Sequence, residues 1–180
     1  MTTTTNTTAE NGSNTHTLDD LSLRLHEEAL EALKDEPELS VLLHRTVLAP
    51  GVVTFEDAVA STVCYRLLLH SPCEKSTAGM SMFCPHAMRS ILLDALYNPE
   101  NLEYGHTMSD AVRQDALCVL DRDPACETLL EVVLFTKGFA ALVCHRAARQ
   151  KWTTFQKKRR RSITALFLQS QASSVFAVDI

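Results

Sequence analysis

Glycine and proline are scarce in this sequence, with five and six residues among 180. So few turn formers argue against an all-β fold. No apolar run approaches the roughly 18 residues that a membrane-spanning helix needs. A soluble chain with no membrane partner is therefore expected. The glycines never cluster, which removes a phosphate-cradling loop, and neither a GxSxG elbow nor an HExxH pair occurs. The cysteines, at positions 64, 73, 84, 118, 126 and 144, form no CxxC pair and match no zinc spacing. Cys64, Cys118 and Cys144 fall inside apolar helical patterns and read as small buried hydrophobes of a reducing compartment. His26-Glu27-Glu28 is not followed by a second His one turn on, so it reads as a solvated helix face. No metal is expected.

Residues 1–16 contain no Lys or Arg and almost no large apolar side chain. Such a segment cannot bury enough surface to offset its ordering entropy and is expected to be a disordered tail. It resembles neither a secretory signal nor a transit peptide, and a cytoplasmic location follows as the expectation.

What is present is helical periodicity in a chain that is 46% hydrophobic. Thr17 with Asp20 reads as a capping box for a first helix lined by Leu21, Leu25, Ala29 and Ala32. Pro37 suits the first turn of a second, with Leu39, Leu42, Leu43 and Val47 inward and Pro50-Gly51 ending it. Thr54 with Asp57 opens a third, which buries Phe55, Val59, Thr62 and Val63 and stops near Ser71-Pro72. The loop Cys73–Cys84 follows. Pro85 begins a fourth helix bearing Met88, Ile91, Leu92 and Ala95, and Asn98-Pro99 ends it. Thr107 with Asp110 caps a fifth, with Val112, Ala116, Val119 and Leu120 inward. A sixth is expected over Glu127–Trp152. Ser162 caps a seventh, with Ile163, Leu166 and Phe167 on one side. Val175-Phe176-Ala177-Val178 then turns strand-like. The fold class is all-α, with about seven helices.

The net charge of −5 hides an asymmetry. Eight basic and no acidic residues lie between Arg146 and Arg161, and the remainder carries −13. The run Lys157-Lys158-Arg159-Arg160-Arg161 reads as a solvated loop, a protein-contact surface or a nucleic-acid patch. Trp152 and Phe155 are the only aromatics near it, so no nucleic-acid partner is expected. Arg122-Asp123-Pro124-Ala125 is the polar group of most interest. From the residues alone, Asp123 reads as a cap for the helix that follows.

Three segments, in order, resemble the serine acetyltransferases, especially their plant-type members. They are Arg122-Asp123-Pro124-Ala125-Cys126, then Lys137-Gly138-Phe139 with Ala141 and His145-Arg146, then Phe167-Leu168-Gln169 with Ser174 to Ile180. Weaker likeness reaches Glu27-Glu28-Ala29 and Asp35-Glu36-Pro37. Ala140 and Arg149 stand where the family often has His, and the basic loop is longer than usual by a few residues.

The resemblance implies a helical N-terminal domain over 17–173. It leaves the tail over 1–16 outside the likeness and implies, at 174–180, the entry to a left-handed parallel β-helix that lies outside the chain. It also implies the family's activity, transfer of the acetyl group of acetyl-CoA to L-serine, giving O-acetylserine and CoA in the first step of cysteine biosynthesis. The family's catalytic His lies beyond Ile180, so no catalytic or cofactor-binding residue is expected here. The chain is expected to be a fragment and inactive alone. Asp123 and Pro124 are the residues implied at the L-serine site, where a carboxylate suits the α-ammonium group. The implied partners are further copies of the chain, trimers paired into a hexamer through the helices, and cysteine synthase for the full-length protein. The rival is a non-catalytic interaction protein that kept only the assembly helices.

Overall fold

The computed structural model describes residues 19–69, 85–98, 102–103, 105–157 and 159–178. The predicted tail, Thr17, the loop Cys73–Cys84, Pro99 and Asp179-Ile180 lie outside the described residues.

The fold is all-α, with eight α-helices among those residues: α1 (Asp20–Asp35), α2 (Ser40–Leu43), α3 (Phe55–Leu69), α4 (Pro85–Tyr97), α5 (Met108–Arg122), α6 (Leu129–Phe135), α7 (Lys137–Gln156) and α8 (Ile163–Phe176). A 3-10 turn, Pro37–Leu39, precedes α2. Two two-residue strands, Leu102–Glu103 and His106–Thr107, pair antiparallel before α5, with Gly105 at φ +86° in the turn between them. Ala49-Pro50-Gly51-Val52 closes through the Val52 N–H on the Ala49 carbonyl, with Gly51 at φ +79°. That left-handed third position favours glycine.

Side-chain caps set most helix starts. Asp19 caps α1 by accepting the Leu21 and Ser22 N–H groups, one residue before the helix and two after the Thr17 expected in that role. Thr54 with Asp57, Thr107 with Asp110 and Ser162 cap α3, α5 and α8 as their spacing predicts. α3 is the buried axis: Phe55, Glu56, Val59, Thr62, Val63 and Leu67 are all nearly inaccessible. α7 packs most extensively on α8. Its small residues Ala140, Ala141, Ala147 and Ala148 are all buried.

Four expectations are corrected. The single helix expected over Glu127–Trp152 is two, because Thr136 leaves helical geometry at ψ 122°. Its hydroxyl donates back to the Val132 carbonyl, and Arg66 of α3 donates to the carbonyl of Thr136 itself at 3.1 Å. α8 buries Ala165, Leu168, Ala172 and Phe176, while Ile163 and Leu166 are 74% and 41% exposed. Val175 and Phe176 are helical rather than strand-like. The Phe176 ring is buried beneath the Arg66 guanidinium, 4.8 Å away, and Ala177 closes the helix in a left-handed cap. Cys64 and Cys144 are buried as expected, but Cys118 is exposed.

Candidate functional site

Asp123 stands where α5 ends, at φ −93° and ψ 106°, with its N–H donated to the Val119 carbonyl at 2.8 Å. The following Pro disfavours helical geometry at Asp123, so the helix stops there. One carboxylate oxygen, Oδ1, accepts the Ala125 N–H at 3.0 Å, and the Asp123 carbonyl accepts the Cys126 N–H at 3.0 Å. These two bonds fold Asp123-Pro124-Ala125-Cys126 into a tight Asx-type turn. Asp123 is half-buried, and Arg122, Pro124, Ala125 and Glu127 are exposed.

The cap of the following helix is not Asp123, as the residues alone suggested, but Thr128. Thr128 and Glu131 form a reciprocal capping box. Glu28 of α1 supplies a further acceptor, 2.8 Å from the Leu130 N–H. The first turn of α6 is thus satisfied without Asp123, five residues upstream of Thr128. Glu28 also pairs with Arg24 at 2.8 Å, so it is not the solvated residue its sequence context implied.

The local electrostatics favour holding a cation over nucleophilic chemistry. Burial pushes the Cys126 thiol pKa up, and the Asp123 and Glu131 carboxylates push it further. A thiol held protonated is a poor nucleophile at neutral pH. Among the described residues no three His, Cys, Asp or Glu side chains converge on a metal position. Grooves of about 530 Å³, between α4 and α7, and about 590 Å³, beside Cys64 and Arg89, lie away from the junction.

The second motif sits on α7. Phe139, Ala140 and Ala141 are buried, and Arg146 donates through Nε and Nη2 to one oxygen of Asp115 on α5, at 3.1 and 2.9 Å. These residues join α7 to α5 and do not meet Asp123 in any recorded contact.

One polar cluster had no signal in the sequence. Arg113 of α5 forks onto both oxygens of Glu56, at 2.5 and 2.8 Å, and reaches Asp19 at 2.7 Å. Ser109 donates to Glu56, and the Arg113 guanidinium lies 5.5 Å from the Phe55 ring centroid. Its partners are 57 and 94 positions away, far beyond any helical period. Only the fold could reveal them.

The family model described as "Serine acetyltransferase, N-terminal" matches residues 22–144. A probable serine acetyltransferase of Oryza sativa subsp. japonica is 34% identical over 157 residues, which are 87% of this chain and 42% of that protein. A chloroplastic serine acetyltransferase of Arabidopsis thaliana is 32% identical over 163 residues, 90% of this chain and 44% of that protein. The chain thus spans less than half the length of these relatives. Among solved structures, a serine acetyltransferase from Brucella abortus strain S19 superposes with a TM-score of 0.69 at 30% identity, covering 91% of this chain and 57% of that one. The same organism's enzyme in complex with coenzyme A gives a TM-score of 0.68 at 28% identity, over 90% and 55% of the two chains.

Proposed function

This chain belongs to the serine acetyltransferase family, and from that premise we propose that it is the helical, substrate-side and assembly domain of a serine O-acetyltransferase. The reaction is acetyl transfer from acetyl-CoA to the hydroxyl of L-serine, releasing CoA and O-acetylserine for cysteine biosynthesis. Acetyl-CoA is the co-substrate of the whole enzyme, and this domain binds no cofactor of its own.

The observation that carries the reading is the state of Asp123. Its carboxylate accepts one backbone N–H through Oδ1, with no ion pair recorded, at an exposed turn. A half-buried carboxylate with spare acceptor capacity suits an ammonium group, and charge-assisted hydrogen bonds are roughly twice as strong as neutral ones. Pro124 sets the turn that presents it. Deprotonating a serine hydroxyl needs a positioned base. That base is proposed to come from the part of the enzyme outside this chain.

Two measurements test the proposal. The purified 180-residue chain is expected to release no CoA from acetyl-CoA in response to L-serine. Serine-dependent release above background overturns the division of labour. In an enzyme containing this domain, Asp123→Asn is expected to lower kcat/KM for L-serine at least about tenfold, or 1.4 kcal/mol, with the KM for acetyl-CoA barely changed. Equal effects on both substrates, or none, remove Asp123 and Pro124 from the serine site.

Self-association belongs to the same proposal, as trimers paired into hexamers through the helices. It is supported by exposed aliphatics such as Leu23 on α1, Val41 on α2 and Ile163 on α8. A cysteine synthase partner is proposed for the full-length protein only. No helix among the described residues is long and apolar enough to cross a membrane. Cytoplasmic placement belongs to the same proposal, and cell fractionation tests it against an organellar location like that named for the Arabidopsis thaliana relative.

A further inference from the structure

The acetyltransferase reading leaves one strongly charged feature unused, the connection between α7 and α8. From Val132 to Val178 the sequence holds nine Lys and Arg and no Asp or Glu, so all 22 acidic residues lie outside this stretch. Within it, Arg146 and Lys151 turn back to Asp115 of α5 and Asp94 of α4. Lys157, Arg159, Arg160 and Arg161 are instead exposed at the connection, and none is recorded in an ion pair. Arg159 sits in the left-handed region at φ +53°, and the turn closes through the Arg159 N–H on the Gln156 carbonyl and the Arg160 N–H on the Phe155 carbonyl. The cations therefore ride on a hydrogen-bonded turn rather than on a free strand of chain.

Immediately after this turn the surface changes from charged to aliphatic. Ser162 is buried and caps α8 by accepting the Ala165 N–H at 3.1 Å. The anchored first turn presents Ile163 and Leu166 to solvent one helical turn apart, and Ile163 is the more exposed of the two. Further along α8 the exposed positions are Gln169, Ser170 and Ser174, and the helix carries no charged residue. The aliphatic surface is thus confined to the end that carries the cations. Trp152 and Phe155, which precede the tip on α7, are half-buried.

We infer that the α7–α8 tip docks on an anionic lipid surface, with Lys157, Arg159, Arg160 and Arg161 at the acidic headgroups and Ile163 and Leu166 entering the layer beneath them. The lack of a spanning segment, from which no membrane partner was expected, bears on crossing a bilayer and not on lying against one. Each Lys or Arg near an acidic leaflet adds to the attraction, and the long stems of these residues keep the charge at headgroup level while aliphatic side chains go deeper. Stable surface binding takes two such signals together, and the tip supplies both. Nucleic acid is a poorer match. Its phosphates would use the cations, but Ile163 and Leu166 would stay in water, and only the half-buried Trp152 and Phe155 are offered for stacking. The acidic residues outside the stretch are repelled by the same leaflet, which orients the chain tip first. The inference does not depend on the serine reaction: an inactive enzyme would defeat that reading and leave this surface standing.

The experiment is co-sedimentation of the 180-residue chain with vesicles of phosphatidylcholine, either alone or with about one-third phosphatidylserine. Binding to the acidic vesicles is expected to be at least about tenfold tighter, and to weaken as salt is raised. Lys157→Gln with Arg160→Gln and Arg161→Gln leaves Arg159 in its left-handed turn and is expected to weaken binding to acidic vesicles at least about tenfold. Arg160→Lys with Arg161→Lys keeps the charge and is expected to bind within about twofold of the wild type. Ile163→Ser with Leu166→Ser is expected to weaken binding about fivefold or more while keeping the preference for acidic vesicles. Inorganic phosphate at matched ionic strength is expected to displace no more of the chain than chloride does. All the replaced side chains are exposed, so the helical circular dichroism is expected to be unchanged; if one set lowers it, the other set decides. The inference falls if the wild-type chain binds both kinds of vesicle alike, or neither. It falls if the glutamine or the serine variant binds acidic vesicles as the wild type does. It also falls if phosphate displaces the chain at matched ionic strength, which would assign the tip to a free anion. Duplex DNA that outcompetes the acidic vesicles at physiological salt would overturn it too, and would assign the tip to a nucleic acid.

Discussion

Glu56 and Asp123 are carboxylates in one helical bundle with opposite fates. Glu56 is 2% exposed, and both its oxygens are committed to Arg113, with Ser109 adding a third donor. Asp123 stands half-buried at a turn, with one backbone N–H on Oδ1. The difference follows from position. The Glu56 carboxylate is buried on α3, where an unpaired charge is costly, and the fold supplies both its partners, Arg113 and Ser109, from α5. Asp123 lies in a junction whose own helix cap is provided by Thr128. A carboxylate fully engaged inside the fold has no capacity left for a ligand, whereas one relieved of structural duty keeps it.

Breaking the first of these sites has the largest expected effect. Arg113→Met keeps the aliphatic stem beside Phe55 and removes the charge. Glu56 is then buried without its counter-ion, and removal of one partner from such a pair costs about 3 kcal/mol. Thermal unfolding of a chain this size is expected to shift down by roughly 10 °C. A shift within about 2 °C would mean that water or Ser109 already satisfies Glu56, and the contrast with Asp123 would collapse.

The junction yields a smaller effect, and it separates its two polar residues. Thr128→Ala removes the side-chain acceptor from the capping box of α6 and is expected to cost about 1 kcal/mol. Asp123→Asn keeps an Oδ1 acceptor for the Ala125 N–H, so its stability is expected to change by less than about 0.5 kcal/mol. Denaturant midpoints measured side by side check both. If Asp123→Asn proves the more damaging, the charge of Asp123 is structural and its place at the serine site is lost.

Much of the bundle was legible in the sequence because capping and periodicity are local. Thr54 with Asp57, Thr107 with Asp110 and Ser162 mark helix starts within four residues, and the buried stripes of α4 and α5 follow the 3.6-residue repeat. The failures were tertiary. Nothing within a few residues of Thr136 announces the break between α6 and α7, because part of its compensation comes from Arg66, 70 positions away. The inward face of α8 was misread because Ile163 and Leu166 follow a helical spacing as well as the buried Ala165, Leu168, Ala172 and Phe176 do, and only tertiary packing chooses between the faces. At the candidate site, the reading of Asp123 as a helix cap could be rejected only once Thr128 was seen in that place.

The smallest expected effect concerns pH and the outer edge of the Arg113 cluster. The hydrogen bond from the Arg113 guanidinium is the main cause that lowers the Asp19 carboxyl to about 2, from an ordinary 3.8. Burial opposes the shift, and the Ser22 N–H and hydroxyl reinforce it. Since the folded value lies below the unfolded one, the folded state binds fewer protons between them. The resulting stability is therefore fully present above about pH 4 and is lost as pH falls through 2. Asp19 is 43% exposed at its side chain, so solvent and salt screen the pair and its contribution is modest. Asp19→Asn retains an efficient N-cap for α1 and removes only the titrating charge. The variant is expected to match the wild type in acid below pH 2, and to be slightly less stable above pH 4, with the two curves converging between. Added salt should narrow the gap. If Asp19→Asn instead destabilises the chain equally at every pH, the loss is one of capping geometry rather than charge. Asp19 would then belong with Thr128 among the helix caps and not with Glu56 among the ion-paired carboxylates.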